Sequence, residues 1–353
     1  MSTLKVDQVS KLFRATSRDG GLTPALRKVS FELNQGEVIS LIGESGSGKT
    51  TIGKVILRLL QPTSGKVTFD GKDISSYSPR GLREYYRHVQ GVFQDPFSSY
   101  NPIYRADRVF ELVRDVYFQK LSEKEWQAKI EAALDAVLLN PGDVLGKYPH
   151  QLSGGQQQRL LIARALLLEV NVLVADEIIS MLDASTRVDV LNLLVKLKRA
   201  GLAILFVTHD LSLGNYVSDR TIILRHGAIV EMGATDKVFG NPQHDYTRML
   251  LTAVPELHKK WQHTPLGPVA VGSDGSAAAA DGAAAAPNGH ATSTLARASM
   301  MDELSHAEQV VKRDFRAVFG GTRRVSSKSA VALSLEPPEL HEFEPGHLVA
   351  EPE

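Results

Sequence analysis

Residues Gly43-Glu44-Ser45-Gly46-Ser47-Gly48-Lys49-Thr50 run as a glycine, four residues, then Gly-Lys-Thr. That spacing suits an anion cradle. Glycines let the backbone curl until several N–H groups face one phosphate. A helix that begins there adds the partial positive charge of its N-terminus. Lys49 would reach β- and γ-phosphates, and Thr50 would offer its hydroxyl to Mg²⁺. Gly43, Ser45, Gly46, Ser47, Gly48 and Thr51 complete the expected nucleotide-binding set. The plain alternative is a Gly-rich turn that binds nothing. The flanks argue against it, because EVISLI reads as a strand before the loop and TTIGKVILRLL as a helix after it.

A second constellation is NVLVADE, residues 171–177. An apolar strand carries two carboxylates out at its C-terminal end, where ligands sit in open α/β sheets. Asp176 would hold Mg²⁺ through water. Glu177 would orient and partly deprotonate a water that attacks a phosphate. A solvated acidic strand end would look the same in isolation, so the pairing with the phosphate loop decides the reading.

These residues need a scaffold, and the apolar pattern supplies one. LKVDQVSKLF, LRKVSFELNQGEVISLIG, GKVTFDG, NVLVAD, LAILFVTHD and RTIILRHGAIVEMG read as strands. TTIGKVILRLL, EKEWQAKIEAALDAVLL and GGQQQRLLIARALLLE read as helices. A long apolar strand followed by a helix is the rhythm of a mostly parallel α/β sheet. The 353 residues suffice for one large domain or two. The apolar share of 43% and charged share of 23% are ordinary for a globular core. Forty basic side chains balance forty acidic ones, so no net field draws the chain to nucleic acid. The absence of cysteine excludes disulfides and Cys-ligated metal sites. MSTLKVDQVSKLF has no apolar run of signal-peptide type, and Arg164 and Glu169 interrupt the longest apolar stretch. The expectation is a chain soluble by itself, which would need other subunits to cross a membrane.

The pentapeptide Leu152-Ser153-Gly154-Gly155-Gln156 opens a long apolar helix and lies between the phosphate loop and the acidic strand. Alone it would pass for a helix cap. In that order the three motifs resemble the ABC ATPase family, and the resemblance covers residues 1 to about 235. It implies a P-loop NTPase fold, an ABC-type nucleotide-binding domain with a mixed sheet core and a helical signature subdomain at about 95–165. It also implies roles: Gln94, in VFQDP, senses Mg²⁺ and serves catalysis; His209, in FVTHD, contacts the γ-phosphate; Ser180-Met181-Leu182-Asp183 crosses a dimer interface; and Phe13 stacks on adenine. Ser153, Gly154, Gly155 and Gln156 of one chain would close over the ATP held by another. One departure stands out. The family usually has Pro-Thr after the catalytic glutamate, where this chain has Ile178-Ile179. Loss of the proline would be expected to loosen Glu177.

VFQDPFSSYNP, with Tyr100 where leucine is usual, and NPQHDYTRMLLTAVPEL, with Asp245 replacing a proline, resemble the dipeptide/oligopeptide (peptide/nickel) importer branch. The branch's cysteine cluster is missing. PPELHEFEPGHLVAEPE, with Gly346-His347 before an apolar residue, resembles its closing segment. The expected organisation is therefore an ATPase domain at 1–240, the branch's C-terminal signature at 241–262, an Ala/Gly/Ser-rich disordered linker at 263–299 and a tail at 300–353, with a short helix in DELSHAEQVVKRDFRAVF. The resemblance implies ATP hydrolysis with Mg²⁺, powering import of di- or oligopeptides. It implies two transmembrane permease subunits, a second ABC ATPase (an unlike partner, with self-pairing the alternative), an extracytoplasmic solute-binding protein indirectly, and a peripheral place on the cytoplasmic face of the membrane. No nucleic-acid partner is expected. Import of oligosaccharides or nickel is the neighbouring reading. A non-transport ABC ATPase is the more distant one, and the missing coiled coil, cysteine modules and second ATPase unit weigh against it.

Overall fold

The computed structural model describes residues 3–14, 21–168, 170–253, 340–344 and 346–350. All of these fall in one unit, Met1–Ala253 with Thr322–Glu353. The expected linker at 263–299 and the helix expected in DELSHAEQVVKRDFRAVF lie outside the described residues.

β1 (Thr3–Arg14) and β2 (Leu22–Asn34) form an antiparallel pair, with bulges near Val9 and Lys11. The chain then enters β3 (Val38–Ile42), the phosphate loop and α1 (Lys49–Ile56). β4 (Ser64–Phe69) and β5 (Lys72–Asp73) return to β1 and complete a four-stranded sheet, β2-β1-β4-β5. α2 (Pro79–His88) leads into β6 (Val89–Val92). Helices α3 (Arg108–Tyr117), α4 (Glu123–Ala136), the single turn α5 (Pro141–Val144) and α6 (Gly154–Leu166) follow. The α/β alternation resumes with β7 (Val172–Asp176), α7 (Ala184–Arg199), β8 (Ala203–Thr208) and α8 (Leu211–Val217). The hairpin β9 (Arg220–Arg225) and β10 (Ala228–Ala234) precedes α9 (Thr235–Gly240) and α10 (Asp245–Thr252). β11 (Leu340–Glu344) and β12 (His347–Ala350) close the described chain.

The larger sheet has the order β11-β12-β10-β9-β3-β8-β7-β6. Its strands from β9 to β6 run parallel, and β10, β12 and β11 are added antiparallel. The sheet is therefore mixed. Every residue of β3, β7 and β8 is buried, as continuous apolar runs covered on both faces require. One core cluster joins the helical part to the sheet through Phe110, Trp126, Leu134, Leu160 and Phe206. The other lies between the two sheets, with Leu4, Leu33, Ile39, Ile52 and Leu205.

Register does the positioning. Ile42 pairs with Thr208, Asp176 with Val207 and Val92 with Ala175. The parallel strands β3, β8, β7 and β6 therefore end along one edge of the sheet. The phosphate loop, His209, Glu177 and Gln94 leave from that edge.

Candidate nucleotide site

The phosphate loop is held open by backbone geometry that glycine alone tolerates well. Gly46 and Gly48 have φ of +83° and +107°. A Cβ on Gly43 would lie 2.1 Å from the Leu224 carbonyl oxygen, and one on Gly48 would lie 2.5 Å from that of Ala25. The turn between β9 and β10 grips the loop from outside, since the Gly227 N–H donates to the Ser47 carbonyl over 3.0 Å.

The end of α1 is left free to meet an anion. Gly48 caps it with no side-chain hydrogen bond, and its first turn carries no acidic residue. By contrast Ser153 caps α6 and Asp183 caps α7 through their own side chains. The N–H groups of a helix's first turn have no partner within the helix, so at α1 they point into the loop. Ser47 adds a buried hydroxyl with no hydrogen-bond partner among the described residues. A cradle of uncommitted donors and a cationic side chain fits a phosphate chain.

Lys49 is 5% exposed, and its Nζ donates to the Gly43 and Glu44 carbonyls over 2.7 and 2.8 Å. Burial lowers its pKa, while Glu177, Asp176 and Glu44 oppose that shift. The ammonium is thus kept inside the loop. Thr50 Oγ1 donates to Asp176 Oδ1 over 3.4 Å. Asp176 is 4% exposed, and burial pushes its carboxyl up to about 6, with Thr50, Lys54 and Lys49 acting against the shift. A buried carboxylate so little compensated by the protein is suited to a cation. Among the described residues no three His, Cys, Asp or Glu side chains converge as a metal cage. Mg²⁺ does not need one, because it commonly takes one or two carboxylates with waters and substrate phosphates. Thr50 and Asp176 fit that role.

Glu177 has φ of +49°, and its N–H donates to the Val207 carbonyl over 2.9 Å. Its carboxylate lies 3.4 Å from His209 Nδ1. A cleft of about 50 Å³ beside them is lined by Glu177, Ser180, Arg187, Thr208, His209 and Asp210. That is room for water rather than for a nucleotide. The turn after Glu177 does not depend on proline. Ile178 and Ile179 are 1% and 2% exposed and pack into the core. Ser180 donates back to the Glu177 carbonyl through both its N–H, over 3.1 Å, and its hydroxyl, over 2.9 Å. Arg187 donates to the carbonyls of Ser180 and Leu182. Packing and these bonds take the place that the expected proline would have filled.

The structure thus gathers Lys49, Thr50, Asp176, Glu177 and His209 within one network. Gln94 is exposed two residues past β6, beside the end of β7. Phe13 stands 42% exposed with the Lys11 ammonium 5.4 Å from its ring centre. It pairs with Thr23, two residues before Ala25, whose carbonyl faces Gly48. Ser153 and Gln156 form a reciprocal capping box on α6, and Gly155 packs against Thr186. Among the described residues no hydrogen bond or ion pair joins Ser153–Gln156 to the phosphate loop. Two partners escaped the sequence reading. Tyr246 accepts a hydrogen bond from the Glu44 N–H, and Tyr100 donates from its buried hydroxyl to the Gln157 carbonyl on α6 over 2.9 Å. Tyr100 had marked itself only as a departure from the usual leucine.

Known proteins resemble this chain in sequence and in fold. The ABC transporter family matches residues 26–180, and the oligopeptide/dipeptide transporter C-terminal region matches residues 230–274. A Brucella ovis protein named for peptide import and ATP binding is 45% identical over 232 residues, 65% of this chain and 72% of that protein. The oligopeptide transport ATP-binding protein OppF of Streptococcus mutans is 44% identical over 233 residues, 66% of this chain and 75% of its own length. The ATP-binding cassette MJ0796, solved as a dimer in a post-hydrolysis state bound to ADP and Pi, superposes with a TM-score of 0.59. It is 29% identical, over 66% of this chain and 98% of that one.

Proposed function

The chain belongs to the ABC transporter family, and we propose that it is the ATP-hydrolysing subunit that powers import of di- and oligopeptides. The observation that carries the peptide reading is the match of residues 230–274 to the oligopeptide/dipeptide transporter C-terminal region. It lies C-terminal to the match of residues 26–180, which holds the phosphate loop, in the same chain.

In this reading the residues divide the work. Gly43, Ser45, Gly46, Ser47, Gly48 and Thr51 present backbone and hydroxyl groups to the phosphates. Lys49 holds the β- and γ-phosphates. Thr50, Asp176 and Gln94 hold Mg²⁺, which when bound offsets charge on the phosphate oxygens. Glu177 orients a water in the cleft it shares with His209, and its carboxylate accepts the water's proton as the γ-phosphate bond breaks. His209, whose Nδ1 lies 3.4 Å from that carboxylate, steadies it and contacts the γ-phosphate. Phe13 stacks on adenine. Ser153, Gly154, Gly155 and Gln156 meet the ATP of a second subunit, which accords with a signature helix whose cap makes, among the described residues, no hydrogen bond to its own phosphate loop. The transition state of phosphoryl transfer is loose, so positioning and charge carry the catalysis.

Partners follow from the role. Among the described residues no helix is long and apolar enough to cross a membrane. In this reading two permease subunits supply the path, and this chain sits on their cytoplasmic face. A second, unlike ATPase completes the nucleotide sandwich, and the solute-binding protein acts through the permeases. The domain division at 1–240, 241–262, 263–299 and 300–353 belongs to the same proposal.

Phosphate release by the full chain tests the assignment of Glu177. Glu177→Gln is expected to lower kcat by roughly 10²- to 10⁴-fold, as loss of a positioned proton acceptor does, with ATP affinity kept within about twofold. Hydrolysis by the variant at a rate near wild type would remove Glu177 from the reaction.

A further inference from the structure

The peptide unit between Gly43 and Glu44 is held from two sides. Its carbonyl accepts the Lys49 Nζ over 2.7 Å. Its N–H donates to the hydroxyl of Tyr246 over 3.1 Å. Tyr246 is 4% exposed on α10, some two hundred residues further along the chain. The Arg225 guanidinium lies 5.1 Å from its ring centre. A peptide plane fixed at both edges cannot rotate freely, so Tyr246 limits where the Lys49 ammonium rests.

The placement of Tyr246 is built in turn on a buried acid. Glu231 of β10 is fully buried and accepts three hydrogen bonds. These come from the Gln243 N–H over 2.9 Å, the His244 N–H over 3.1 Å and His347 Nε2 over 2.7 Å. The first two fix the turn that begins α10. His244 Nδ1 then accepts the Tyr246 N–H over 3.0 Å as the helix cap. The third comes from β12, beyond the long segment outside the described residues. His347 is itself 1% exposed and sits where β12 pairs with β10. A buried carboxylate that loses a donor becomes costly, so the C-terminal strand supports the turn that presents Tyr246.

We infer that Tyr246 is a positioning residue for the phosphate loop, and that the C-terminal strand pair, through His347 and Glu231, supports it and so sets the chain's affinity for ATP. The inference rests on the reading that residues 43–50 hold the phosphates of ATP.

The test is direct ATP binding to the full-length chain by calorimetry, with a thermal melt of each variant. Tyr246→Phe keeps the ring and removes only the hydroxyl that accepts from the Glu44 N–H. Its Kd for ATP is expected to rise roughly 3- to 10-fold, the range of one lost hydrogen bond, with the melting temperature nearly unchanged. His347→Gln, which retains a donor, is expected to bind more tightly than His347→Ala. The double variant of Tyr246→Phe with His347→Ala is expected to bind no more weakly than the weaker single variant, because both act along one path. A lowered melting temperature with unchanged Kd for Tyr246→Phe would make the residue structural only and overturn the inference. So would effects of the two substitutions that multiply. Lys49→Ala separates the two levels. If it and wild type both fail to bind ATP, the phosphate-loop reading itself falls; if they differ while Tyr246→Phe equals wild type, only this inference falls.

Discussion

Gly154 and Gly155 are adjacent in the signature segment but sit in different surroundings. A Cβ on Gly154 would meet nothing within 4 Å, whereas one on Gly155 would lie 2.5 Å from Thr186 Cγ2. Thr186 cannot easily turn away, because its hydroxyl donates to Asp183 Oδ2 over 2.9 Å. Gly155→Ala is therefore expected to cost roughly 1–3 kcal/mol in urea unfolding, as overpacking does. Gly154→Ala should leave stability within about 0.5 kcal/mol. If Gly154→Ala unfolds as easily as Gly155→Ala, the packing account of this segment is wrong. At this scale the sequence was most informative where one residue type has one physical use. The glycine spacing of 43–48 and the paired acids Asp176-Glu177 pointed to their places because few other residues could stand there. Tyr246 and Glu231 gave no such signal. A tyrosine in an amphipathic helix and a glutamate in a strand have many uses, and only the fold shows that one reaches Glu44 and the other His347.

At the scale of elements, α7 shows how much a cap can matter. Its N-cap is Asp183, whose carboxylate accepts bonds from Ser185 Oγ, the Thr186 N–H and Thr186 Oγ1. The bond from Ser185 chiefly, with those from Thr186, lowers its pKa from 3.8 to about 2. A carboxyl whose pKa is depressed on folding adds stability above its unfolded value and loses it as pH falls through the folded one. The contribution of this cap is thus expected to be present above about pH 4 and gone near pH 2. Thermal melts of wild type and Asp183→Asn should therefore differ at pH 7 and converge near pH 2. A gap of constant size across that range would contradict the account. Asp183 is identified from the sequence as part of a segment that resembles a dimer-crossing loop, but the helix it caps is not. α2, α3 and β6 likewise are not identified from the sequence. β6 has four residues, too few to establish a period. The strands β3, β7 and β8 stood out because burial on both faces leaves continuous apolar runs. The expected loosening at Ile178-Ile179 reflected a rule about proline; the structure meets the same need by burying both side chains.

At the scale of the whole molecule, the chain carries a complete phosphate loop and acidic strand end on one edge of a mixed sheet. Its signature helix is capped by its own Ser153 and Gln156, and its far C-terminal strand pair is joined to the same sheet. The overall type was legible because the motifs appear in a fixed order along the chain. The likeness of Gly346-His347 to a closing segment gives no sign that β12 returns to β10, since pairing across so long a separation leaves no local pattern. With forty basic and forty acidic residues, the net charge gives no hint of any partner. The central claim is that this chain converts ATP hydrolysis into peptide uptake. The most direct measurement is uptake of a labelled tripeptide by host cells that lack the gene and carry either the wild-type chain or Glu177→Gln. The account predicts that wild type restores uptake and Glu177→Gln does not. Uptake restored equally by both, or by neither while wild type is expressed and hydrolyses ATP, would contradict it.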